Sequence, residues 1–119
     1  MGHIYAEVEI KGTKAEKKVR MFVDTGATRT IIPYSLAEEA GTLYKFSYRR
    51  EVEYGDGNMR ELEIAAMKLR AMERETEDIV YLDNIREPIL GVETLELLGL
   101  KVNPQSERIE PSREWVARA

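Results

Sequence analysis

The sequence predicts an all-β fold: mainly β, a small closed barrel with one or two short helices. Three observations predict it. Apolar and polar residues alternate with period two in HIYAEVEI (3–10) and again in KKVRMFV (17–23). A tight cluster, GDGN at 55–58, separates two further extended runs, which is a hairpin signal. The other apolar runs are short and broken by Pro and Gly, so short strands outnumber helical turns.

In the first strand Ile4, Ala6, Val8 and Ile10 share one face, and Tyr5, Glu7 and Glu9 take the other. KGTKAE is a turn. Val19, Met21 and Val23 then line one face of a second strand, and the two runs read as a β-hairpin. After Asp24-Thr25-Gly26, the β-branched TRTII (28–32) predicts a strand that Pro33 ends. SLAEEAG (35–41) predicts a short helix with Ser35 as its cap, an acidic first turn and Gly41 as its stop. FSYRREVEY and MRELEIAAMKLR are strands on either side of GDGN. The second is rich in helix formers, but Glu61 and Glu63 alternate with Leu62 and Ile64, which favours a strand. TEDIVYL (76–82) is another strand. EPILGVETLELLGL (87–100) predicts a strand ending at Gly91, then a short helix that places Leu95, Leu97 and Leu98 in the core and stops at Gly99. KVNPQSERIEP is a turn and a last strand, and SREWVARA is a tail of undetermined structure in which Trp115 covers either a core edge or a seam between copies.

Length and composition restrict the function classes. At 119 residues the chain predicts a single domain, 1–119, with one core and a C-terminal tail at 111–119. It is 43% hydrophobic and 34% charged, a globular composition, without repeats, low-complexity tracts or linkers. A net charge of −4 with interspersed signs offers no basic stripe, so no nucleic-acid partner is expected. With no Cys and His3 as the only histidine, thiolate or histidine metal sites and Ser-His or Cys-His catalysis are excluded within one chain. His3 itself reads as an exposed or strand residue. Neither a membrane span of about 18 apolar residues nor a signal-peptide core is present. The expectation is a cytoplasmic protein without membrane association, metal or cofactor.

The informative segment is VRMFVDTGATRTII (19–32), where Asp24 stands between two apolar runs. A carboxylate there is costly unless it is hydrogen-bonded, paired or neutral. The following Thr-Gly turn provides the hydrogen bonds, since Gly26 lets backbone N–H groups approach and Thr25 brings a hydroxyl. Two such carboxylates about 3 Å apart share one proton, leaving one as a base for water and the other as an acid for a carbonyl. The chain has one acid in this setting. Asp56 lies in a Gly-rich turn, and Asp78 and Asp83 lie in polar contexts with no Thr-Gly or Ser-Gly after them. A two-fold homodimer would supply the second acid as another copy of Asp24.

FVDTGATRTII resembles the active-site segment of the retropepsin-like aspartic proteases, the retroviral enzymes and their cellular and prokaryotic relatives. The likeness extends to YGDGNM, placed like that family's substrate-covering flap, and to PILGVETLELLGLKVNP, placed like its apolar-apolar-Gly strand and C-terminal helix. It covers about residues 4–110 and marks the chain as similar to a prokaryotic or archaeal member, with one lobe per chain. The resemblance implies an aspartic endopeptidase that hydrolyses peptides or unfolded protein as a homodimer. It gives Asp24 the catalytic role, Thr25 a bond across the dimer axis, and Gly26 and Gly91 the support of the active-site loop. Ala27 and Thr28 would line the substrate cleft, and Tyr54, Gly55, Asp56, Gly57, Asn58 and Met59 would form the flap. Ile89 and Leu90 would pack beside the loop. GDGN is more polar than the retroviral flap tip, and the chain runs on past the last matching strand.

Other readings compete with each assignment. Asp24 alone could cap a turn, and GDGN alone is an ordinary hairpin. DTGATRT also resembles the phosphate loop of actin-like and sugar-kinase ATPases, but that fold needs two large lobes and a second loop. The same fold could also be a catalytically silent homodimeric peptide-binding module. The intact D-T-G-A argues against the module, because simple binding has no use for a costly carboxylate pair.

Overall fold

A computed structural model of the chain describes residues 3–116; Met1, Gly2 and the last part of the tail, 117–119, lie outside the described residues. Nine strands and two short helices follow one another as β1 (Tyr5–Lys11), β2 (Glu16–Val23), β3 (Ile31–Pro33), α1 (Tyr34–Ala40), β4 (Tyr44–Glu53), β5 (Met59–Ala71), β6 (Arg74–Asp83), β7 (Ile89–Leu90), α2 (Val92–Leu97), β8 (Leu100–Asn103) and β9 (Arg108–Pro111). The fold is mainly β, as the alternating pattern predicts.

Seven strands form one sheet in the order β1-β2-β7-β3-β6-β5-β4. The two predicted hairpins are present: β1 pairs antiparallel with β2 from Tyr5↔Phe22 to Lys11↔Glu16, and β4 with β5 from Glu53↔Met59 to Tyr44↔Ala66. A second pairing, Glu9↔Arg70 to Lys11↔Lys68, joins β1 to β5 and brings the sheet round on itself. Long β5 therefore serves two neighbours along one edge, β4 with its first half and β1 with its second. The run of helix-forming residues in β5 is strand because pairing along both edges outweighs intrinsic propensity.

The wall built from β3, β5 and β6 is buried on both sides. Ile32, Ala65, Met67, Leu69, Val80 and Leu82 enter the main core with Val8, Ile10, Met21, Leu90 and Leu98. Their strand neighbours Ile31, Leu62, Ile64 and Tyr81 point the other way, into a second cluster joined by Phe46, Val52, Tyr54 and Ile89. Alternate side chains of a strand face opposite sides, so a strand covered on both sides reads as the near-continuous apolar run IVYL. Each large side chain fully buried in the main core contributes about 1.5–3 kcal/mol.

Several local expectations are corrected. Thr28–Thr30 is not strand, because the Ala27 and Thr28 carbonyls accept the Val92 and Glu93 N–H groups at 2.8 and 3.0 Å. That segment is docked on the start of α2, and β3 begins only at Ile31. Ser35 does not cap α1. The helix starts at Tyr34 directly after Pro33, makes no side-chain cap bond and has no acidic residue in its first turn. Leu97 is 46% exposed, while Leu95 and Leu98 are buried. Leu97 lies about 200° round the helix from Leu95, so a six-residue helix cannot bury both. The last segment holds two strands, β8 and β9, paired with each other in a separate sheet. Asp78 and Asp83 are buried, at 8% and 3% exposure, despite their polar sequence neighbours.

Trp115 is 42% exposed, with the Arg74 and Arg113 guanidinium groups 5.5 and 5.4 Å from its ring centroid. Arg74 in turn donates to the Leu98 and Gly99 carbonyls at 3.2 and 2.7 Å, closing the C-terminal end of α2. Among the described residues no helix is long and apolar enough to cross a membrane.

Candidate active site

Asp24 leaves the end of β2 where the sheet brings β7 alongside, with Val23 paired in parallel with Leu90. Its N–H donates to the Leu90 carbonyl at 3.1 Å, and its own carbonyl accepts the Ala27 N–H at 3.0 Å. Its carboxylate Oδ1 accepts the Gly26 N–H at 2.9 Å. The turn thus supplies the backbone hydrogen bond that Gly26 predicts, while no bond is made by the Thr25 hydroxyl among the described residues; Asp24 is half-buried and Thr25 and Gly26 are exposed. Gly91 lies against the loop so closely that a Cβ there would come within 2.5 Å of the Arg29 carbonyl carbon. Only a glycine allows this approach.

A cleft of about 490 Å³ opens over the loop. Asp24, Gly26, Ala27 and Thr28 line one side and Tyr54 and Gly55 the other, so six of the predicted residues come together. Thr25 and Gly91 lie off its wall. Asp56, Gly57, Asn58 and Met59 form the turn beyond it, where Asp56 and Asn58, with Tyr54, Gly55 and Arg60, surround a separate shallow depression. Asp56 and Asn58 are occupied with their own turn: Asp56 Oδ1 accepts the Asn58 N–H at 2.9 Å and Oδ2 accepts the Asn58 side-chain amide at 2.8 Å. Gly57 has φ of +87°, a backbone angle that favours glycine.

Ile89, expected beside the active-site loop, lines the cleft as well, and further wall residues were not singled out by the sequence: Ile31, Tyr81, Val52 and Arg50 from β4, and Arg29 with Glu93. Arg29 Nη1 lies 3.3 Å from Glu93 Oε2. The apolar members belong to the cluster beneath the β4–β5 hairpin, and strand alternation could have identified them once both sides of β3 and β6 were known to be covered. Among the described residues, Asp24 is the one aspartate on this wall. A larger depression of about 730 Å³ lies elsewhere, on β1, β2, β5, the β5–β6 turn and β9, and is lined by Glu7, Glu9, Glu73, Lys18, Arg70 and Arg108. Its carboxylates and cations balance, and it contains no group held as Asp24 is.

Tyr54, at the root of the hairpin tip, donates its hydroxyl to Asp83 at the end of β6. Burial, then the hydrogen bond to Asp83 and its charge, push the phenol well above the ordinary tyrosine value. Arg60 Nη2 reaches the other Asp83 oxygen at 2.8 Å. The tip is thereby fastened to the wall below it. Among the described residues no group of three His, Cys, Asp or Glu side chains is placed to hold a metal ion.

What the arrangement can do is hold one carboxylate by a backbone N–H at the floor of a cleft that is apolar on one side and roofed by a hairpin. A hairpin edge beside such a cleft can pair with the backbone of an extended chain.

Comparison with known proteins agrees with this geometry. The family model described as gag-polyprotein putative aspartyl protease matches residues 6–97. Comparison with curated proteins by sequence gives no match. Among solved structures, an inhibitor-bound EIAV protease superposes with a TM-score of 0.69 at 18% identity, covering 86% of this chain and 93% of its own. The simian foamy virus (mac) protease superposes with a TM-score of 0.56 at 21% identity, covering 79% and 93%. At these identities the two structures show the shared fold.

Proposed function

Given that the chain belongs to the gag-polyprotein aspartyl protease family, we propose that it is an aspartic endopeptidase acting as a homodimer. The observation that carries this reading is the setting of Asp24. Its carboxylate is held by the Gly26 N–H at the floor of a cleft that the Tyr54–Gly55 hairpin roofs. The second acid comes from Asp24 of another copy across a two-fold axis, with Thr25 of each copy bonding across that axis beneath the pair.

The two carboxyls share one proton and hold a water between them. The ionised member takes a proton from the water as its oxygen attacks the scissile carbonyl carbon, and the protonated member gives its proton to the carbonyl oxygen. The product is a neutral amide hydrate, not an acyl-enzyme. It collapses as the C–N bond breaks, with a proton passing to the leaving nitrogen. Ala27 and Thr28 hold the backbone of an extended peptide from below, and the 54–59 hairpin closes over it and excludes water. The substrate class is peptide or unfolded protein, a reading that the family supports.

Asp24→Asn tests the assignment. The variant should fold as the wild type does and lose about 10²–10⁴-fold or more in cleavage of an unfolded protein. Excess Asp24→Asn mixed with wild type should also suppress wild-type activity, since each mixed dimer holds a single ionisable carboxyl. A wild-type chain that binds peptides without cutting them would turn the reading into the silent binding module.

A further inference from the structure

The Leu90–Gly91 peptide group is bound at both ends. Its carbonyl accepts the Asp24 N–H at 3.1 Å, and its N–H donates to Thr30 Oγ1 at 3.1 Å. The Thr30 and Thr94 hydroxyl oxygens are 2.6 Å apart, and the Thr94 hydroxyl donates to Asp78 Oδ2 at 2.7 Å. A hydroxyl has one proton to give. Thr94 gives its proton to Asp78, so Thr30 must donate to Thr94, and the run is one-way from Gly91 through Thr30 and Thr94 to Asp78. Thr30 and Thr94 are wholly buried and Asp78 nearly so. The other Asp78 oxygen accepts the Ile79 N–H at 2.8 Å and faces Arg29 Nη1 at 4.0 Å.

Packing does not require this arrangement. A buried carboxylate and two buried hydroxyls are costly to desolvate, and apolar groups of the same shape commonly do as well or better in a core. What the chain of hydroxyls achieves is directional: it fixes the plane of one peptide group, and that group holds the backbone of Asp24. We propose that Asp78 is a positioning residue for Asp24, acting through Thr94, Thr30 and the Leu90–Gly91 peptide. The proposal rests on the peptidase reading of Asp24. The carboxylate anchors the acceptor end, each hydroxyl polarises the next, and the peptide group cannot rock without breaking the series. Reacting groups displaced by about 1 Å lose on the order of 10²-fold in rate, so a fixed plane behind Asp24 has catalytic consequence.

The test compares Thr30→Val and Thr94→Val, each of which removes one of the two linking hydroxyls, with Thr30→Ser and Thr94→Ser, which keep the hydroxyl. Two quantities are read: steady-state cleavage, and exchange of the Asp24 amide hydrogen by NMR. Each valine variant should lose about tenfold in kcat with KM within about twofold, and its Asp24 amide should exchange about tenfold faster. The serine variants should stay near wild type in both. Valine variants equal to wild type, serine variants as impaired as the valines, or a change in KM alone would overturn the proposal. Should the valine variants not fold, Asp78→Asn gives the second measurement, since its amide oxygen still accepts from Thr94 without the charge. The Asp24 amide should then exchange several-fold faster, and an unchanged rate would overturn the proposal. The peptidase reading fails separately: an inactive wild type with the expected exchange pattern removes it and leaves the coupling, whereas an active wild type with unaffected variants removes the coupling alone.

Discussion

The Tyr54 hydroxyl and Asp83 Oδ2 are 2.5 Å apart, joining the root of the hairpin tip to a strand end 29 residues away in sequence. Asp83 keeps Arg60 at 2.8 Å and the Asn84 N–H at 2.7 Å when this bond is lost. Both of those partners bind Oδ1, so Tyr54→Phe leaves the buried Oδ2 without a hydrogen bond and should cost about 1–3 kcal/mol of stability. Its larger effect should be on the roof of the cleft, seen as a KM raised several-fold with kcat changed less. The same bond carries a pH signature. The Tyr54 pKa is raised in the folded state, so its contribution is fully present below the unfolded tyrosine value of about 10 and declines as pH rises above it. Denaturation midpoints taken from about pH 8 to 11 should fall more steeply for wild type than for Tyr54→Phe. Parallel curves would show that the hydroxyl does not couple the tip to the wall.

Gly91→Ala should damage the loop directly. The added Cβ would meet the Arg29 carbonyl carbon at 2.5 Å and its oxygen at 2.7 Å, and both are backbone atoms that cannot rotate away. The expected loss is about 1–3 kcal/mol of stability or more, together with most of the cleavage activity. A Gly91→Ala protein with wild-type melting and turnover would refute the close approach.

On the wall beside β4, Glu63 holds Lys45 at 2.6 Å and Arg49 at 3.0 Å. Its carboxyl lies below the ordinary glutamate value, chiefly through its hydrogen bond to Lys45 and against the opposing effect of burial. A carboxyl depressed in the folded state contributes stability above its unfolded value, and loses it as pH falls through the folded one. Both cations are half exposed, so screening limits the contribution to about 1 kcal/mol or less. Urea denaturation from about pH 7 to 3 should show a shallower loss for Glu63→Gln than for wild type. Equal slopes would mean the pair contributes nothing to acid sensitivity.

If the working unit is two copies, activity per chain should fall on dilution once the dimer dissociates, and an inhibitor that spans the cleft should restore it. The rate should follow a bell-shaped pH profile whose two limbs belong to the pair of carboxyls and not to either one. Constant specific activity down to nanomolar protein, with sedimentation showing single chains, would contradict the dimeric mechanism.

The site was legible where its chemistry is local. Asp24, Thr25 and Gly26 announce a buried-edge carboxylate because the turn that holds it is three residues long, and Gly26 makes its bond two positions away. GDGN was legible for the same reason, its Asp56–Asn58 bonds closing within the turn. The polar residues behind the site were not. Thr30 and Thr94 are 64 residues apart, and Thr94 and Asp78 are 16 apart, so nothing near any of them in sequence marks the series. Asp78 and Asp83 looked like solvated acids because their neighbours TED and DN are polar. The fold buries them regardless.

Alone, the sequence determined the strands and their faces, since period-two alternation is a property of neighbouring residues, and it located the one carboxylate set in a Thr-Gly turn. Only the tertiary structure decided that β3 and β6 are covered on both sides, that Leu97 faces outward, and that Asp78 meets the buried Thr94 and Thr30 hydroxyls. Those outcomes depend on which distant strands meet when β1 closes on β5. Hydrogen bonds and burial act through space, over a few ångströms, whatever the separation along the chain.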